Sequence, residues 1–300
     1  MTNKKVTKAV IAAAGFGTRF LPQTKAIPKE MLPLIDKPVI QYIVEELVDA
    51  GIKDIIIVTG YSKRAIEDHF DKPSEDLLNN LRQGGPSKAE LLKEVEDIAE
   101  LANFIYLRQK GPYGTGTPIL NAEHILDDSP FIYTYSDDFF VAKPSRFKQM
   151  IEAYERYNCP VLSTLRITDD KDYSRYGFVS GKNLDDNIIE IHEIIEKPGK
   201  DKTPSDLATV SGFLLTPNVF KYFHNNLDNL KAGHEFYATE SLNMMAKAKE
   251  RIIALEIANG KFYDIGNKFS YLKTLIEFGL NKPEVRDELK EYLDNFLSKV

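Results

Sequence analysis

Five apolar runs of strand length punctuate the first 170 residues of the chain, and the stretches between them repeat at helical spacing. Lys8 to Ala14 (KAVIAAA), Ile55 to Thr59 (IIIVT), Phe104 to Leu107, Phe131 to Tyr135 and Val161 to Ile167 are too short for ordinary helices. None alternates apolar with polar, so each predicts a strand covered on both faces. Between the first two, Ile40, Ile43, Val44, Leu47 and Val48 recur at helical spacing, with Gly51 placed to end the helix. Asp36-Lys37-Pro38 predicts its start, with Asp36 as N-cap and the proline in the first turn. This β-α-β-α order predicts an α/β fold: a Rossmann-like, mostly parallel sheet flanked by helices.

Later segments add to that frame without breaking it. Residues 72–102 are charged, carry Gly84-Gly85-Pro86, and place Leu91, Leu92, Val95, Ile98 and Ala99 at helical spacing, which predicts a helical insertion. Residues 168–208 are polar and predict short strands and connections over the carboxyl edge of the sheet. From residue 268 to 300 the pattern is helical, with Val285, Leu289, Tyr292, Leu293 and Phe296 on one face. No repeat or interdomain linker divides the chain, so residues 1–300 are expected to form a single domain. A chain of 300 residues buries roughly three quarters of its unfolded surface and needs no staple.

Composition removes several classes of function. A net charge of −6 argues against a protein that coats nucleic acid. One cysteine, Cys159, excludes an internal disulfide and fits a reducing compartment. The apolar run near the N-terminus ends in a glycine turn and does not have the form of a signal peptide. No stretch approaches the ~20 apolar residues of a membrane helix. The expectation is a cytoplasmic protein with neither nucleic acid nor membrane as partner. The five histidines show no H-E-x-x-H spacing, so a zinc site is not expected.

The turn after the first run is Ala13-Ala14-Gly15-Phe16-Gly17-Thr18-Arg19-Phe20. It lacks the third glycine of a dinucleotide fingerprint and the lysine of a P-loop. It still suits an anion, because glycines let backbone N–H groups approach and Arg19 adds a planar fork for phosphate oxygens. Read alone, it is as compatible with a tight strand-to-helix turn. A proline-stiffened basic loop follows, from Leu21 to Leu34, carrying Lys25 and Lys29. Asp137-Asp138 follow the fourth apolar run. They therefore fall at the carboxyl end of a central strand, where open α/β sheets bind ligands and where magnesium finds one or two carboxylates.

The string G-F-G-T-R, then L-P-Q-T-K-A-I-P-K-E-M-L-P-L, then D-K-P-V-I-Q-Y, from Gly15 to Tyr42, resembles the N-terminal signature of bacterial UTP–glucose-1-phosphate uridylyltransferases. These are members of the sugar-nucleotide pyrophosphorylases, and weaker correspondence continues through Gly266-Asn267. The resemblance implies a nucleotidyltransferase of glycosyltransferase-A-like fold that joins UTP and glucose 1-phosphate into UDP-glucose and pyrophosphate with Mg2+. It implies Arg19, Lys29 and Lys197 as catalytic cations, Asp137 and Asp264 as metal carboxylates, and Ala13, Ala14, Gly15, Gln109 and Gly114 around the nucleotide. It places Gly177, Glu196 and Val210 around the sugar. Lys197 would contact the sugar phosphate, and Glu196 the sugar hydroxyls.

The chain departs from the family pattern at Thr117 (often His), Ser136 (usually Pro), Val210-Ser211-Gly212-Phe213 (usually V-G-R-Y) and Ile265 (usually Cys). These departures bear on the choice of sugar and nucleotide more than on the reaction type. A thymidylyl- or guanylyltransferase, or a non-catalytic sugar-nucleotide sensor, is the alternative. Retention of Arg19, Lys29, Asp137, Lys197 and Asp264 together favours catalysis. Apolar faces in residues 72–102 and in the C-terminal helix predict a homodimer or homotetramer.

Overall fold

The structure is a computed structural model that describes residues 4–299. In chain order it runs β1 (Lys8–Ala13), a hairpin of β2 (Pro33–Leu34) and β3 (Lys37–Pro38), α1 (Val39–Asp49), β4 (Asp54–Thr59), α2 (Arg64–Phe70), α3 (Glu75–Gln83), α4 (Ala89–Ala99) and β5 (Asn103–Arg108). Then follow α5 (Thr117–Leu126), β6 (Phe131–Tyr135), β7 (Asp138–Ala142), α6 (Arg146–Tyr157), β8 (Val161–Arg166), β9 (Gly177–Asp185), β10 (Ile188–Glu196) and β11 (Leu207–Leu215). The chain closes with α7 (Phe220–Asp228), α8 (Ala238–Lys247), β12 (Ile253–Glu256), β13 (Gly260–Asp264), α9 (Lys268–Asn281) and α10 (Pro283–Leu297).

Among the described residues, nine strands form one sheet in the order β5-β4-β1-β6-β11-β8-β12-β10-β9. β5, β4, β1 and β6 are parallel neighbours, and β4, β1 and β6 are covered on both faces as expected, whereas β5 is the edge strand and only half-buried. Beyond β6 the sheet becomes mixed, because β11 runs antiparallel to both β6 and β8. Residues 168–208 hold strands, as expected, but longer ones than the short strands and connections read from the sequence. They supply β9 and β10, nine residues each, an antiparallel hairpin that extends the sheet to its far edge.

Successive residues of β1 and β4 serve opposite faces. Ile11, Ile55 and Ile57 pack with α1, α2 and α6, while Val10, Ile56 and Val58 pack with α5, α7 and α8. That two-sided burial is why these runs are continuously apolar. In α1, Ile40, Ile43, Val44 and Leu47 have no exposed surface, and burying each contributes about 1.5–3 kcal/mol. The helix ends as expected, with Ala50 at the C-cap and Gly51 at φ 90° just beyond.

Its start differs. Lys37-Pro38 pair back on Pro33-Leu34 as β3, so Pro38 takes the N-cap position, and Asp36 sits in the hairpin turn in an ion pair with Lys282. Residues 72–102 hold α3 and α4, which carry the chain from β4 to the edge strand β5. At the C-terminus α9 lies against β13 and β2, tied by Tyr271 Oη donating to the Pro33 carbonyl at 2.7 Å, and α10 packs on α9. No helix of the described residues is long and apolar enough to cross a membrane.

Candidate active site

A cleft of about 1040 Å³ opens at the carboxyl ends of β1 and β6, where the chain leaves β1 to one side of the sheet and returns on the other. It gathers Arg19, Lys29, Lys197, Ala14, Gly15, Gln109, Gly114, Gly177, Glu196, Asp137 and Asp264 into one lining. Two predicted residues do not reach it. Ala13 is fully buried in the core with Thr59 as its strand neighbour, and Ala12 lines the cleft beside it. Val210 is buried in the same core, and Thr209 presents to the cleft instead. Strand alternation turns these two side chains away from the cleft and their neighbours into it. A smaller cavity of about 450 Å³ at the opposite end of the sheet, beside Tyr154 and Cys159, holds none of the predicted residues.

On the nucleotide side the floor is the turn at Ala14-Gly15. Gln109 follows β5 and is held by its N–H donating to the Thr59 carbonyl at 2.8 Å. The loop from Gly111 to Gly116 covers this half. Gly114 is needed there: its φ is 129°, and a Cβ would lie 2.3 Å from the Phe236 carbonyl oxygen. The same loop is clamped by Phe236 N–H donating to the Tyr113 carbonyl and Gly116 N–H donating to the Phe236 carbonyl, both at 2.8 Å. Thr117 begins α5 behind the loop, its Oγ1 donating to the Pro112 carbonyl at 2.6 Å.

At the centre stand the charges. Lys29 opens a 3-10 turn (Lys29–Met31), and its Nζ meets Asp137 Oδ2 at 2.5 Å. Burial pulls the Lys29 ammonium down, but the carboxylates of Asp137 and Glu30 outweigh it and hold its pKa above the usual lysine value. Asp137 leaves β6, and Asp264 ends β13, the antiparallel partner of β7. Asp264 Oδ1 accepts the Gly266 N–H at 2.7 Å, while Oδ2 accepts Tyr176 Oη at 2.9 Å and pairs with Arg175. Arg19 Nη1 donates to the Gly266 carbonyl at 3.1 Å. Burial first, and then the neighbouring Asp137 carboxylate, push Asp138 up to about 8.

The carboxylates fit a divalent cation. A Cβ built on Gly266 would lie 3.0 Å from Asp264 Oδ1, 3.3 Å from Asp137 Oδ2 and 3.5 Å from Arg19 Nη1. Glycine thus leaves open a small space faced by two hard oxygen donors. Among the described residues no third acidic, histidine or cysteine side chain joins them. Two carboxylates with phosphate oxygens completing the shell are what magnesium-type sites use.

On the sugar side Gly177 begins β9 and Glu196 ends β10, paired directly across the hairpin. Thr239 Oγ1 donates to Glu196 Oε2 at 2.7 Å and so aims the carboxylate into the cleft. Lys197 is held at φ 45° by its N–H donating to the Tyr176 carbonyl at 3.0 Å. Its Nζ lies 3.2 Å from Tyr237 Oη and 4.5 Å from that ring's centre. Burial lowers the Lys197 pKa and Glu196 with Tyr237 raise it by more, so the lysine stays charged.

Arg175, Tyr237 and Thr239 were missed in the sequence. Arg175 directly precedes Tyr176-Gly177, which is the one local signal it offers. The family departures all sit behind the lining: Thr117, Ser136, Val210 to Phe213 and Ile265 are buried, and none faces the cleft.

A mixed sheet flanked by helices, with a cleft at its carboxyl edge that gathers cations and two carboxylates, suits transfer chemistry on phosphates. The chain belongs to the Nucleotidyl transferase family, which it matches over residues 8–278. It is 42% identical over 296 residues to the UTP–glucose-1-phosphate uridylyltransferase YngB of Bacillus subtilis (strain 168), covering 99% of this chain and 97% of that one. Its fold is similar to a UDP-glucose pyrophosphorylase complexed with UDP-glucose (TM-score 0.81, 36% identity, 93% of this chain and 100% of that chain). It is also similar to a UTP-bound UDP-glucose pyrophosphorylase from Acinetobacter baumannii (TM-score 0.85, 31% identity, 96% and 99%).

Proposed function

We infer that the chain is a UTP–glucose-1-phosphate uridylyltransferase. An oxygen of the sugar phosphate attacks the α-phosphorus of UTP. The bond from that phosphorus to the bridging oxygen breaks, and pyrophosphate leaves with the electron pair. The attacking oxygen is already anionic at neutral pH, so the site needs position and charge rather than a strong base. Arg19 and Lys29 neutralise the triphosphate, Lys197 holds the sugar phosphate, and Glu196 takes sugar hydroxyls. Ala14, Gly15, Gln109 and Gly114 enclose the base, and Gly177 lets the hexose approach the backbone.

Nucleotidyl transferases work with a divalent metal ion, and we assign Mg2+, held by Asp137 and Asp264. When bound, it supplies charge neutralisation on the phosphates. The observation that carries the reading is the convergence of Arg19, Asp137 and Asp264 on the open space at Gly266, with Lys29 on Asp137.

The test is pyrophosphate release with each of four nucleoside triphosphates against a panel of sugar 1-phosphates, with and without excess chelator. UTP with glucose 1-phosphate is expected to turn over fastest, and chelator to abolish turnover. A preference for dTTP or GTP overturns the assignment of nucleotide, and full turnover in chelator overturns the metal. The proposal extends to a cytoplasmic homodimer or homotetramer, on the exposed Tyr292, Phe296 and Leu297 of α10.

A further inference from the structure

Directly behind Lys29 lies a buried ion pair that the reaction does not use. Glu30 has no exposed surface, and Lys63, at 6% side-chain exposure, meets its Oε2 at 2.6 Å. The remaining Glu30 oxygen lies 3.4 Å from Ser136 Oγ, which donates to the Ala12 carbonyl at 2.7 Å. Ser136 immediately precedes Asp137. The carboxylate therefore ties the Lys29 turn to the loop after β4, and Ser136, whose single proton goes to Ala12, ties the end of β6 to the end of β1 beside it.

Lys63 is oddly placed for its own helix. It stands at the N-cap of α2, where the helix dipole disfavours a cation. Glu30 compensates it. Glu30 is also adjacent in sequence to Lys29, and its charge acts on that ammonium too. A buried carboxylate is stabilised by a cation or takes up a proton; burial pushes Glu30 up and Lys63 down from their usual values, and their mutual attraction opposes both shifts. Two lysines are within its influence, and the one it holds is Lys63. Lys29 is thereby left to Asp137.

We propose that Lys63 is a positioning residue: by neutralising buried Glu30 it keeps the Lys29 ammonium on Asp137 and in the cleft. Without Lys63, Glu30 captures Lys29 and the cation turns away from the triphosphate. This rests on the role proposed for Lys29. It predicts an asymmetry that a merely structural ion pair does not give. Lys63→Met is expected to weaken UTP binding about ten- to a hundredfold and to lower kcat by a similar factor, since a charge-assisted contact to phosphate is lost. Glu30→Gln removes the competing charge, so it is expected to lower stability while leaving kcat and UTP affinity within about threefold. In the double variant Lys63→Met/Glu30→Gln no carboxylate remains to capture Lys29, and turnover is expected to recover to within several-fold of the parent.

The experiment is steady-state kinetics, UTP calorimetry and thermal melting of the full chain for all three variants, with a crystal structure of Lys63→Met. The structure is expected to show Lys29 Nζ on Glu30. Lys29 still seated on Asp137 overturns the proposal whatever reaction the parent runs, so it fails separately from the assignment of function. A folded Lys63→Met with unchanged kcat and UTP affinity also overturns it. If Lys63→Met does not fold, the double variant decides: folded with turnover more than tenfold down refutes the proposal, and recovered turnover supports it.

Discussion

Gly266→Ala adds one methyl group where the assigned metal site has its open space. The backbone tolerates the change, since Gly266 is not among the glycines with positive φ. The Gly266 N–H that donates to Asp264 Oδ1 is kept. The new Cβ would lie 3.0 Å from that oxygen and 3.3 Å from Asp137 Oδ2, so both carboxylates must give by a few tenths of an ångström. Both sit on side chains with 18% and 23% exposure, which leaves them room to do so.

The folded state is therefore only slightly strained. The unfolded chain loses glycine's freedom, which offsets that strain by about 0.4–1 kcal/mol. Net stability should change by less than about 1 kcal/mol, a shift in Tm of roughly 3 °C or less. Function should suffer far more, because an apolar group now separates the two oxygens from a cation and its phosphates. Removing one preorganised charge interaction of this type costs about 2.7–4 kcal/mol, so kcat should fall about 10²- to 10³-fold. Thermal melting, pyrophosphate release and manganese affinity in the presence of UTP are measured side by side. Parent-like kcat and manganese affinity would refute the placement of the metal. A Tm lowered by more than about 10 °C would refute the claim that the methyl acts locally.

Lys29→Ala and Lys197→Ala should fail differently. The first should weaken UTP binding by calorimetry as well as turnover. The second should spare UTP affinity while kcat falls and KM for glucose 1-phosphate rises, about ten- to a hundredfold in kcat/KM. His69 is half-buried on α2, with its Nε2 2.9 Å from Gln41 Oε1, and burial depresses its pKa below the usual 6.5 despite Glu45. Its contribution to stability is full above pH about 6.5 and is lost as pH falls through the depressed value. His69→Gln should therefore show a smaller drop in urea midpoint between pH 7.5 and pH 5.5 than the parent, and an equal drop would exclude His69 as the source. Light scattering at micromolar concentration should give a dimer or tetramer, and a monomer ends that expectation.

What the sequence made legible follows from where each residue's partners lie. The core strands could be read because both faces of β1, β4 and β6 are covered, which leaves a continuous apolar run. Asp137 could be placed because it ends such a run. Asp36 misled because D-K-P has the form of a cap with a first-turn proline, whereas pairing of Lys37-Pro38 with Pro33-Leu34 moved the cap to Pro38. The β9–β10 hairpin was hidden because register shifts at Ile188/Ile189 and Ile191/Glu193 break the period-two pattern that marks a strand.

The site divides the same way. Asp137 follows a buried apolar run, so local context points to it, whereas Lys29 and Lys197 stand in loop stretches and are singled out by the family resemblance. Their supports are made by chain closure: Arg175 reaches Asp264 across 89 positions, and Lys63 reaches Glu30 across 33. A lysine after Tyr61-Ser62 has the look of any solvated loop lysine until the fold buries it against a carboxylate. Residues that line the cleft sit at the carboxyl ends of the strands and in the loops that follow them. Residues that aim them are buried between elements, and their chemistry exists only once the sheet has closed.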